Sequence, residues 1–76
     1  MGNLAEKLEE IAHENDWEFM SDYSGRFMFG KLCCGIIADN SISVIEECAV
    51  NGIRGAKVDN LGLDYIVYFP DIQMEV

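Results

Sequence analysis

Basic residues, histidine and proline are scarce in this chain of 76 residues: five Lys and Arg stand against fourteen Asp and Glu, with one His and one Pro. The formal net charge is −9. A phosphate backbone is captured through a basic footprint, so this field argues against direct binding of DNA or RNA. Long apolar runs are lacking as well. The longest, 32–38 and 65–69, fall far short of the roughly 18–20 residues a spanning helix needs, so no membrane association is expected. The first ten residues carry neither a basic n-region nor an apolar h-region, and the expected location is therefore the cytoplasm. Three cysteines, two of them adjacent (Cys33, Cys34 and Cys48), do not form the even, spaced set of a disulfide scaffold, and reduced thiols are expected.

Against these shortages stands a high apolar content: half the residues are hydrophobic and 11% are aromatic. That is enough to offset the ordering entropy of a small chain, and the length allows one modest core, so 1–76 is read as a single compact domain. Asn3–Asn15 reads as a helix with Leu4, Leu8, Ile11 and Ala12 on one face, capped by Asn3 with Glu6 as capping-box partner. A period of two follows from Asp16 to Asp22, with Trp17, Phe19 and Ser21 opposite Glu18, Met20 and Asp22. Ser24-Gly25 marks a turn. Arg26–Gly30 and Cys33–Ala38 read as two further strands, or as one bent strand.

A second helix is expected after Asp39, with Asn40, Ser41 and Ser43 as rival caps, Val44, Ile45, Cys48 and Ala49 as its apolar face, and Gly52 as its left-handed stop. Gly55–Asp59 and Asp64–Phe69 read as a closing hairpin around Asn60-Leu61-Gly62. The last strand is apolar on both faces, which points to a central position or to a face that meets a partner. The expected class is α+β: two helices packed on a mostly antiparallel sheet of four to five strands, in the order α-β-β-(β)-α-β-β.

Motifs that carry chemistry are weak. Gly25-Arg-Phe-Met-Phe-Gly30-Lys31 matches the spacing of a phosphate-binding loop, but Leu32 stands where Ser or Thr would hold Mg²⁺, and the interior is bulky and strand-like. Glu10-Ile-Ala-His13 fits one half of a di-metal carboxylate site, which needs a second such element. Cys33 and Cys34 lack zinc-ligand spacing, and Cys48 reads as a small core residue. Asp59–Tyr65 lacks the alternation of a Ca²⁺ loop and reads as a turn. No catalytic residue, metal ligand or cofactor is assigned, and an enzyme is not expected.

Charge is distributed unevenly. Residues 1–24 carry a net −6, residues 25–57 a net +1 and residues 58–76 a net −4. Glu6, Glu10 and Glu14 recur at i, i+4, a like-charge spacing of about 6 Å that costs an isolated helix a few tenths of a kcal/mol per pair. Two readings compete: a solvated face that keeps a small apolar domain dissolved, and a docking surface for a basic partner. Carboxylates at this spacing also approximate a row of phosphates, ~7 Å apart along one strand. The candidate surface comprises Glu6, Glu9, Glu10, Glu14, Asp16, Glu18 and Asp22, with Trp17 and Tyr23 as aromatic anchors. An alternative reading is a small-ligand-binding or sequestering module acting as a homo-oligomer, a dimer for example, with a pocket formed between subunits near Gly30, Gly35, Tyr65 and Tyr68.

A short, acidic single domain with an anionic helix and no catalytic set resembles the small proteins that phages encode against bacterial defence, anti-CRISPR proteins among them. The stretches Gly30-Lys31-Leu32-Cys33-Cys34-Gly35-Ile36 and Asp59-Asn60-Leu61-Gly62-Leu63-Asp64-Tyr65-Ile66-Val67-Tyr68-Phe69-Pro70 look like a recurring pattern of small phage and bacterial proteins. The resemblance implies a stoichiometric inhibitor in the bacterial cytoplasm. Its partner would be the basic surface of a nucleic-acid-processing complex, and it would work by imitating nucleic acid.

Overall fold

A computed structural model describes residues 4–25 and 30–70. The elements are α1 (Leu4–Glu14), β1 (Glu18–Tyr23), β2 (Cys33–Ala38), α2 (Ser41–Val50), β3 (Lys57–Asn60) and β4 (Tyr65–Tyr68). The four strands form one antiparallel sheet in the order β1-β2-β4-β3. The α+β class stands, in the order α-β-β-α-β-β. Two expectations, Asn3 as the first cap and Arg26–Phe29 as strand, lie outside the described residues.

Both helices end in the same way, and the sequence explains why. After α1, Trp17 N–H donates to the Ala12 carbonyl at 2.8 Å and Asp16 N–H to the His13 carbonyl at 3.3 Å. This is the double bond of a Schellman stop, and it places Asp16 at φ 64°. After α2, Ile53 N–H donates to the Cys48 carbonyl at 2.9 Å and Gly52 N–H to the Ala49 carbonyl at 3.0 Å, with Gly52 at φ 81°. Among the rival caps of α2 it is Asn40 whose side chain accepts from Ser43 N–H, at 3.2 Å.

The helices cover one face of the sheet. Leu8, Ile11 and Ala12 of α1 and Val44 and Cys48 of α2 pack with Ile36, Ala38, Val67, Phe69 and Ile53, while Trp17 and Phe19 close the margin. Cross-strand pairing fixes the sides: Phe19 opposes Ile36, Ile36 opposes Val67, and Val67 opposes Val58, all on the helical face. β4 is central, as its two-sided apolar pattern predicts.

The strict alternation expected for β1 fails after Met20. Register shifts between Met20 and Tyr23, and Tyr23 then pairs with Cys33. A bulge of this kind bends the strand and re-aims the side chains that follow, so Tyr23 shares the face of Met20. That second face holds its own small core. Ile66 and Tyr68 are both 0% exposed there, packed against Met20, Tyr23, Cys33 and Ile37. The burial that suggested an oligomer is supplied within the chain.

Candidate functional site

On α1 the apolar residues face the sheet, and Glu6, Glu9, Glu10, His13 and Glu14 are exposed on the opposite side. Together with Lys7 they line a shallow depression along the helix. Among the described residues Glu9, Glu10 and Glu14 have no ion-pair partner. His13 is exposed in the last turn and lines the same depression as Glu14.

The sheet adds carboxylates that the linear charge map does not associate with α1. Glu18 pairs with Ile37 and Ala38 with Tyr65. Asp16 and Trp17 precede β1, Asp39 follows β2 and Asp64 precedes β4, so all four lie at one end of three neighbouring antiparallel strands. A shallow cleft at that end is lined by Asp16, Trp17, Glu18, Ile37, Ala38, Asp39 and Asp64. A second cleft, on the α2 side of Trp17, is lined by Asn15, Trp17, Ser43, Glu46, Glu47 and Val50. Half-buried Trp17 thus borders both clefts, with six carboxylates and no basic side chain among their linings.

The expected surface is therefore partly assembled and partly divided. Glu6, Glu9, Glu10 and Glu14 share the outer side of α1, and Asp16, Trp17 and Glu18 continue it at the strand end. Asp22 is exposed on edge strand β1. Tyr23 is not beside the α1 glutamates. It lies on the sheet face away from the helices, where its hydroxyl donates to Asp59 Oδ2 at 2.5 Å. Asp39, Asp64, Glu46 and Glu47 were missed by sequence reasoning. The signal that finds the first two is their placement immediately outside Cys33–Ala38 and Tyr65–Tyr68 at the same end of an antiparallel pair.

Asp59 also accepts from the Tyr68 hydroxyl, at 3.2 Å through Oδ1, and the two tyrosine rings stand 5.0 Å apart at 58°. Burial first, then the hydrogen bond and negative charge of Asp59, push the Tyr23 phenol from 10.0 up to about 12. Burial raises all three thiols: Cys33 and Cys34 upward, and Cys48 to about 11 with the charge of Glu47 adding to it. Thiolate chemistry is suppressed accordingly. Among the described residues no three His, Cys, Asp or Glu side chains are grouped so as to hold a metal ion.

Of the residues expected to line a pocket between subunits, Gly35 and Tyr68 are cross-strand partners, and Tyr65 and Gly30 lie elsewhere within one chain. Tyr65 opposes Ala38, which packs with the helices, whereas Tyr68 lies on the other face, and Gly30 sits in an exposed turn. Gly35 is sealed against β4: a Cβ there would stand 2.9 Å from the Val67 carbonyl oxygen. No helix among the described residues is long and apolar enough to cross a membrane. No family model matches this α+β chain, and neither a curated protein nor a solved structure matches it.

Proposed function

We propose that the protein is a non-enzymatic interaction module that docks its acidic α1 face and the Trp17 strand end onto a Lys/Arg-rich protein surface. The observation that carries this reading is the convergence of carboxylates from the α1–β1 turn, β1, the β2–α2 turn, α2 and the β3–β4 hairpin around one half-buried tryptophan. Residues scattered for solubility alone have no reason to assemble around an aromatic ring. Cationic side chains gain from both partners: the ring face attracts an ammonium or guanidinium, and carboxylates accept its hydrogen bonds.

Asp16 adds support. A helix C-terminus carries partial negative charge and favours cations, and its left-handed stop favours glycine, yet an aspartate occupies it. A charge retained against local stability fits a site that uses it. A cationic partner surface of this kind ordinarily binds nucleic acid, so the module would act as a stoichiometric competitor. Inhibition of a nuclease-type defence complex is the setting that the class resemblance suggests. Steering by opposite charge raises the on-rate and makes it salt-dependent, while Trp17 supplies a desolvated anchor.

Trp17 is the single tryptophan, so its fluorescence reads the site directly. Titration with an arginine- and lysine-rich peptide at low salt is expected to shift its emission saturably. Raising ionic strength from about 50 mM to about 300 mM should weaken that binding roughly tenfold or more, because exposed charges are screened within a Debye length of this order. An emission spectrum that the peptide leaves unchanged at low salt would contradict the proposal.

A further inference from the structure

Among the described residues the sheet carries helices on one face, yet Ile66 and Tyr68 on the other face are completely buried. Part of their cover is the chain leaving β1. The register shifts between Met20 and Tyr23, Tyr23 pairs with Cys33, and the backbone that follows lies against the tip of the Tyr68 ring. A Cβ on Gly25 would stand 2.6 Å from Tyr68 Cζ, 2.7 Å from Tyr68 Oη and 2.9 Å from Asp59 Oδ2. A side chain there would have to displace these tips. What fastens this segment is a side-chain clasp: Tyr23 donates to Asp59 Oδ2 at 2.5 Å, Tyr68 donates to Oδ1 of the same carboxylate at 3.2 Å, and the rings are tilted against each other.

We propose that Tyr23, Asp59 and Tyr68 form a latch that holds the β1 exit over the second face of the sheet, and that its release uncovers the apolar surface around Ile66 and Tyr68 while the helical core stays folded. The two cores are physically separate. Among the described residues, ten buried ones, including those of both helices, lie on one side of the sheet, and two with a half-buried surround lie on the other. Cover held by three side chains opens at lower cost than a core held by two helices and a β ladder. Among the described residues, Cys33 lies in the same cluster and Lys57 opposes Tyr68 from β3.

The cysteines provide position-coded probes. Cys33 belongs to the latched face and Cys48 to the helical core. Iodoacetamide labelling in a Cys34→Ser background, read by peptide mass spectrometry at one pH, separates the two. Tyr23→Phe removes one hydroxyl at minimal change of shape, and Gly25→Ala wedges the backbone away from Tyr68. Each is expected to speed labelling of Cys33 by about fivefold or more while leaving Cys48 slow, the signature of sub-global opening. Equal acceleration at both cysteines in both variants would show global destabilisation and overturn the latch. Unchanged Cys33 labelling in both would overturn it as well.

Discussion

At the scale of single residues, stability and charge pull against each other most visibly at Asp16. Its φ of 64° and its place at the negative end of α1 both disfavour an acid. Asp16→Gly is expected to stabilise the fold by about 1 kcal/mol, a rise in Tm of roughly 5 °C, measurable by thermal unfolding. The same change should weaken binding of a cationic peptide. Gly35 behaves in the opposite sense. A methyl group there meets the Val67 carbonyl oxygen at 2.9 Å and Ile66 side-chain carbons at 3.1 Å, so Gly35→Ala is expected to cost about 1–3 kcal/mol. Alkaline pH reads the acids of buried Cys48 and half-buried Tyr23. Cys48 and Tyr23 have folded values raised to about 11 and about 12 from 9.0 and 10.0, so their neutral forms favour the native state. Their contribution is complete below about pH 9 and is lost as pH rises through 11 and 12. Unfolding midpoints in denaturant should therefore hold steady to about pH 9 and then fall, and Cys48→Ala should remove the earlier part of that fall.

At the scale of elements, the stops and caps decide which segments are helical. Asn40 caps α2 through its bond to Ser43 N–H, and α2 contains the β-branched residues Ile42, Val44, Ile45 and Val50. Asn40→Ala is expected to cost about 1 kcal/mol by equilibrium unfolding, with Ser41→Ala costing less. The apolar stripes of α1 and α2, the Gly52 stop and the central position of β4 were legible in the sequence, because each rests on local periodicity or on one turn residue. The second face of the sheet was not. The bulge between Met20 and Tyr23 carries no glycine or proline to announce it, and it moves Tyr23 away from the α1 glutamates to Asp59. Asp59 itself read as part of a turn, although its contacts are with tyrosines 36 and nine residues distant.

At the scale of the whole molecule, antiparallel topology converts a linear charge map into a surface. The sequence places its anionic density in residues 1–24, but the strand ends bring Asp39 and Asp64 to Asp16 and Trp17, and α2 brings Glu46 and Glu47 to the other side of the ring. The acidic α1 residues were legible from their spacing. The convergence at Trp17 was not, because it depends on which strands become neighbours. Place, rather than total charge, is therefore what binding should respond to. The most direct measurement compares two variants with the same charge change: Glu10→Gln/Glu14→Gln on the acidic face, and Ile42→Lys/Val58→Lys at exposed sites outside it. Affinity for an arginine- and lysine-rich peptide is measured by calorimetry at low salt. Weakening of about fivefold or more in the first variant and clearly less in the second is the predicted result, since close charges outweigh screened distant ones. Equal losses in the two variants would contradict the account and reduce the acidic surface to a matter of net charge.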